Sequence, residues 1–192
     1  MNLSADDLPL ARTTRVGRIT VHAVEAGLQW LDGGAMFGVV PRPLWERRIA
    51  PDEKNRIPLG LRSLLVEAPG ALVLVDTGIG NKEDEKFRGI YGVDNAGSPT
   101  RLEDGIRAAG HEPGDVDILV STHLHFDHAG GNTVLGEDGE IRPAFPGARH
   151  VVQRAEFDFA HTDNERIRAS YMPKNYDPVA EAGLWDFVEG EA

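Results

Sequence analysis

The sequence predicts an α/β protein in which sheet and helices lie in layers. Three observations carry that prediction. Short apolar runs recur at 59–67, 71–75 and 116–120, the last rich in β-branched residues, with the length and flanking turns of buried strands. Before the last of them stands a helical pattern. Thr100-Arg-Leu-Glu103 has the form of a capping box, Leu102, Ile106 and Ala109 follow at helical spacing, and Gly110 is placed as a stop. Finally, histidines gather just past the 116–120 strand, at its C-terminal end, which fits helix–strand layering.

At 192 residues the chain is one domain by length, with enough sequence to bury a core. Residues 1–14 read as a loose arm, and residues 15–192 as part of a single domain. Within 15–25, Val16, Ile19, Val21 and Val24 suit a strand. The stretch 27–40 is mixed and holds the turn signal Asp32-Gly33. Residues 41–58 read as a loop with a short helix crossing the rim. Met36, Phe37 and Trp45 could line a pocket, although a core or packed-loop role is favoured.

The runs 59–67 and 71–75 flank Ala68-Pro-Gly70 and read as an antiparallel hairpin ending in Asp76-Thr-Gly78. The charged stretch 81–91 is a helix candidate whose charges form a solvated face. His111 falls in a loop and is expected to be solvated. After the histidine cluster, 136–139 is a turn and 149–153 a strand carrying His150, which reads as a strand-end histidine. Residues 154–161 and 177–188 suit helices. Tyr171, Met172 and Tyr176 are assigned to packing rather than to substrate.

The chain is organised around Ser121-Thr-His-Leu-His-Phe-Asp-His-Ala-Gly-Gly131, which holds three of the seven histidines in the pattern H-x-H-x-D-H. In an extended chain alternate side chains share a face, so His123 and His125 point one way while Leu124 and Phe126 point into the core. Asp127 and His128 follow as the strand gives way to a turn, and Gly130 and Gly131 let backbone approach closely. Four nitrogen and oxygen donors so near in sequence suit a borderline metal such as Zn²⁺, with Fe or Mn as alternatives.

This motif resembles the signature of the metallo-β-lactamase-fold hydrolases, and the Leu and Phe between the donors look most like the acyl-homoserine lactone lactonase branch. The resemblance implies an αββα sandwich with two Zn²⁺ per complete site. His123 and His125 would hold one ion, Asp127 and His128 the other, and a metal-bound hydroxide would attack an ester or lactone carbonyl. Asp127 would also be catalytic, orienting the hydroxide and moving its proton. By the same resemblance, Asp76 lies beneath the site and hydrogen-bonds a ligand, fixing its orientation. The family pattern continues with a Gly-His-x-x-Gly-like stretch, a bridging aspartate and a last histidine, none of which follows His128. The expectation is therefore the first half of the fold plus the following helices, without activity in these 192 residues alone. Half a sandwich would also expose an apolar sheet face, inviting self-association.

A small ester or lactone is thus the expected substrate. The alternatives are a thioesterase resembling glyoxalase II and a non-catalytic interaction module. The net charge of −11 argues against nucleic acid. No apolar run approaches a membrane span, and the N-terminus lacks a signal-peptide pattern, so cytoplasm is the expected compartment. With no cysteine, neither disulfides nor thiolate ligands are available within the chain.

Overall fold

The computed structural model describes residues 3–190. Strand β1 (Ala11–Val16) pairs antiparallel with the long β2 (Ile19–Asp32), which shifts register between Glu25 and Leu28. Asp32 ends β2 and caps the short helix α1 (Gly33–Phe37), its carboxylate accepting from the Ala35 amide at 2.8 Å. The Asp32-Gly33 turn signal is therefore a helix N-terminus. Helix α2 (Arg42–Trp45) follows at the rim. Strands β3 (Arg56–Ala68) and β4 (Ala71–Val75) form the expected hairpin.

Helix α3 (Glu85–Tyr91) begins later than the charged stretch suggested, at the point where Asp84 caps the Phe87 amide. Helix α4 (Arg101–Ala108) starts at Thr100, whose hydroxyl accepts from the Glu103 amide at 3.2 Å. Strand β5 (Ile118–Val120) lies parallel to β4, and helix α5 (Phe126–Ala129) carries the end of the histidine motif. The ribbon β6 (Thr133–Leu135) and β7 (Ile141–Pro143) precedes β8 (Arg149–Gln153) and α6 (Arg154–Ala160). Helix α7 (Asp177–Glu181) and β9 (Trp185–Val188) complete the described chain.

The large sheet has seven strands in the order β1-β2-β3-β4-β5-β8-β9, antiparallel up to β4 and parallel beyond it. One face packs under α4: Val24, Leu65, Leu74, Leu119, Leu102 and Ile106 are buried together. Truncating such a side chain costs roughly 2–5 kcal/mol. On the other face, Leu64, Val66, Val73, Val75, Ile118 and Val120 align across β3, β4 and β5 and are only partly covered, Leu64 being 44% exposed.

Two expectations are corrected. The arm over 1–14, whose first two residues lie outside those described, is not loose. Asp94 accepts from the Ser4 hydroxyl and the Ala5 amide, and buried Arg101 binds Asp6 and the Ala5 carbonyl. Residues 11–14 are already in β1. The helix expected over 177–188 stops after Glu181, and Gly183 turns the chain with φ +68°. Trp185-Asp-Phe-Val188 then alternates as an edge strand parallel to β8.

Candidate metal centre

The site forms where β4 and β5 end side by side. Beyond Val75 and Val120, the Asp76 amide donates to the Val120 carbonyl at 2.9 Å, so the two chains leave the sheet together. Residues 121–125 run on to α5. Leu124 and Phe126 are buried, as alternation required, and Phe126 packs against Phe87 and Tyr91. The intervening His123 and His125 rings lie 4.6 Å apart, and His128 on α5 brings its ring within 3.9 Å of His123. The Asp127 carboxylate lies 3.8 Å from His128 Nε2. The four motif side chains are thus neighbours, contacting in pairs, although no three of their donor atoms lie within 4.8 Å of one another.

Asp76 supports this cluster from below. Its carboxylate accepts from His128 Nδ1 at 2.8 Å, from the Thr122 amide at 2.8 Å and from the Thr122 hydroxyl. With Nδ1 engaged, His128 is left with Nε2 for the site side. Asp76 adopts φ +57°, a left-handed conformation costly for most non-glycine residues and tolerated best by Asp and Asn. Strain held at one turn by surrounding bonds is a mark of a functional position.

The motif and the Asp76 turn are locked backbone to backbone. Thr77 donates to the His128 carbonyl from both its amide and its hydroxyl, and its hydroxyl also bonds Asn132, which in turn bonds Ser121. A Cβ on Gly130 would sit 2.3 Å from the Ile79 carbonyl oxygen, and one on Gly131 2.4 Å from that of Thr77. No larger residue fits this approach, which explains the paired glycines. Partly buried Lys82 holds the same segment through the Gly130 and Thr133 carbonyls.

The donor set is compatible with a divalent ion of Zn²⁺ type: three imidazoles, one carboxylate and no thiolate. Burial, and then the neighbouring His128 and His125, lower the pKa of His123, favouring the neutral ring that metal ligation needs. His128 is shifted upward, chiefly by its bond to Asp76. Asp76 itself is raised by burial, but its bonds from His128 and Thr122 outweigh that and leave it low.

Several residues had no signal in the sequence. Gln29, 2% exposed on β2, donates from Nε2 to Asp127 at 2.9 Å, while its Oε1 is buried without a partner. Its role depends on the β2 bulge and on a contact across 98 positions, neither of which leaves a local pattern. Glu156 on α6 accepts from the Leu124 amide at 2.8 Å. A cleft of about 220 Å³ opens beside Asp127 and His128, lined also by Gln29, Leu59, Leu61 and Arg62.

Other sequence candidates lie elsewhere. Trp45 is buried and stacks on Phe37 at 5.1 Å, and neither these two nor Met36 lines the cleft. Tyr171 packs edge-on against His125 with ring centroids 4.7 Å apart, and burial pushes its hydroxyl up to about 12. His150 is fully buried on β8 and bonds the Phe145 carbonyl, and His161 pairs with Asp177. His111, expected in solvent, instead bonds Glu67.

Comparison with known proteins decides the family. The sequence model of the Metallo-beta-lactamase superfamily matches residues 57–152, from β3 to β8. The chain belongs to the metallo-β-lactamase superfamily. An N-acyl homoserine lactonase from a Bacillus species is 32% identical over 134 residues, covering 66% of this chain and 49% of the relative. The N-acyl homoserine lactonase AttM of Agrobacterium fabrum is 38% identical over 88 residues, covering 45% of this chain and 28% of the relative. The chain thus spans about half or less of these curated relatives. Among solved structures, a probable metal-dependent hydrolase from Staphylococcus aureus superposes with a TM-score of 0.81 at 32% identity, over 92% of this chain and 61% of that one. AidC, a dizinc quorum-quenching lactonase solved with its product, gives 0.69 at 20% identity over 95% and 62%, a likeness of fold. The α/β architecture with its large sheet is that of this superfamily. No helix among the described residues is long and apolar enough to cross a membrane.

Proposed function

We propose that the complete gene product is a metal-dependent hydrolase that opens a small ester or lactone, with N-acyl homoserine lactones as the first substrates to test. The observation that carries this reading is that His123, His125, Asp127 and His128 lie side by side in contacting pairs, with Asp76 on His128 Nδ1. In this proposal His123 and His125 hold one Zn²⁺, and Asp127 and His128 hold a second. A bound ion of this kind polarises a carbonyl and lowers the pKa of its water to about 7.

The protein's own groups do the rest. Gln29 fixes the Asp127 carboxylate, which is positioned to accept a proton at one oxygen and return it to the leaving alkoxide. Asp76 keeps His128 in one tautomer and orientation. The cleft of about 220 Å³ is smaller than a drug-sized pocket and suits a lactone ring or short ester. Its apolar wall is Leu59 and Leu61, and Arg62, which pairs through Nε with buried Glu25, brings a guanidinium to its rim. The lactonase relatives favour the lactone over other esters.

The test is a panel on the zinc-loaded complete gene product: an N-acyl homoserine lactone, an aryl ester, a thioester and a phosphodiester. Lactone turnover above the others, lost in His125→Ala, is expected. Thioester preference would move the reading to the thioesterase alternative. Phosphodiester turnover without ester or lactone turnover would overturn it, and inactivity on all four would leave a non-catalytic module.

A further inference from the structure

We propose a second metal-binding site, made of His22, Glu67 and His111, that clamps the far end of the sheet to the end of α4. It shares no residue with the histidine motif and does not rest on the proposed hydrolase activity. His22 lies on β2, Glu67 closes β3, and His111 follows α4, so three segments distant in sequence meet at one point. Their donor atoms all lie within 4.8 Å of one another, and His22, Glu67 and His111 are the group of this kind found among the described residues. The site lies toward the other end of β4 from the motif. Glu67 is paired with Leu72 at the start of β4, whereas Asp76 follows its end. Four residues of strand separate the two levels by about 13 Å.

The geometry is that of a first coordination shell. His22 Nε2 lies 3.0 Å from Glu67 Oε1, and His111 Nε2 lies 3.1 Å from the same oxygen. A tetrahedral Zn²⁺ with bonds of about 2.0–2.1 Å keeps its ligand atoms roughly 3.3 Å apart. Each imidazole nitrogen thus stands within a few tenths of an ångström of that spacing from the carboxylate oxygen. The two rings meet edge to face at 5.7 Å, so their Nε2 atoms converge without stacking.

The surroundings supply what such a site needs. His22 is buried, and its other nitrogen, Nδ1, bonds the Thr13 hydroxyl at 2.9 Å. That bond holds the ring with Nε2 aimed at Glu67, the outer-shell arrangement typical of metal-ligating histidine. The Glu67 carboxylate is held down at about 2 by its hydrogen bonds from His22, His111 and Thr20, so it is an anion at neutral pH. The His111 side chain is 25% exposed, which leaves an entry path and an open fourth position. Two imidazoles and one carboxylate favour Zn²⁺, Ni²⁺ or Cu²⁺ over the hard ions Mg²⁺ and Ca²⁺. Binding would join β2, β3 and the loop after α4, and so hold α4 on the apolar face it covers.

The probe is Zn²⁺ itself, titrated by calorimetry into the chelator-treated chain, with Mg²⁺ as control. We compare the unaltered protein with His111→Gln, Glu67→Gln and a His123→Ala/His125→Ala variant. The expected result is one equivalent of Zn²⁺ lost in His111→Gln and in Glu67→Gln but retained when the motif histidines are removed. Imidazole ¹⁵N spectra of the unaltered chain keep the proposal testable if a variant misfolds: Zn²⁺ should shift the Nε2 signals of both His22 and His111. Unchanged stoichiometry in both clamp variants, or stationary His22 and His111 signals at saturating Zn²⁺, would overturn the site.

Discussion

Replacing Asp76 by Asn separates a ligand-orienting residue from a turn residue. The change preserves shape, and Asn tolerates the φ of +57° that this position adopts. What it removes is charge: the carboxylate accepts from His128 Nδ1 at 2.8 Å and from the Thr122 amide and hydroxyl at 2.8–2.9 Å. An amide retains one acceptor oxygen, so the Thr122 and His128 bonds can no longer all be served. Charge-assisted bonds of this kind contribute about 1.5–3 kcal/mol, and losing part of the set should lower metal-free stability by about 1–2 kcal/mol. Metal affinity should suffer more specifically. His128 loses the anion that fixes its tautomer and raises its basicity, which typically costs about 10–100-fold, or about 1.4–2.8 kcal/mol. The assay is chelator competition for Zn²⁺ on the complete gene product, with circular dichroism to establish that the fold persists. A folded Asp76→Asn protein with unchanged zinc affinity would refute the reasoning and return Asp76 to a purely structural turn.

Three further outcomes follow from the same geometry. Gly130→Ala places a methyl 2.3 Å from the Ile79 carbonyl, and should cost about 1–3 kcal/mol as backbone is forced apart. A thermal melt within 1 °C of the parent would contradict that packing. For Glu67, the folded pKa of about 2 lies below its ordinary 4.5. The hydrogen bonds it accepts from His22, His111 and Thr20 therefore add stability that is fully present above pH 4.5 and is lost as pH falls toward 2. In chelator, Glu67→Gln should flatten the acid limb of a stability–pH curve over that window, and an identical limb would exclude the effect. Residues 1–192 by themselves should bind Zn²⁺ weakly and at one site within the histidine motif, without ester or lactone turnover. Catalytic zinc usually has three protein ligands, and this grouping offers each ion two. Titration of the His111→Gln chain with parallel lactone and ester assays tests it, and two tight sites with turnover would contradict it.

Much of the motif region was legible because its signals are local. The alternation of His123, Leu124, His125 and Phe126 gives both the shared histidine side and the buried apolar side. The Asp76 turn and the Thr100 cap are likewise written in adjacent residues. The rest depends on long-range pairing. Gln29 reaches Asp127 only because β2 is bulged and crosses the sheet. His111 meets Glu67 only because α4 docks where it does. Trp185-Asp-Phe-Val188 continues a helical composition and becomes a strand because Gly183 breaks the chain and β8 offers an open edge. Before Arg15, Ser4, Ala5 and Asp6 have no apolar pattern, and they are held by Asp94 and Arg101 instead.

The central claim is that the His123–His128 cluster holds metal for catalysis. Elemental analysis of the complete gene product carrying His111→Gln, purified without chelator with and without His123→Ala, tests it most directly. Two ions per chain at this centre, one of them lost with most of the activity in His123→Ala, is the predicted result. An unaltered protein that purifies metal-free and remains active in chelator would contradict it.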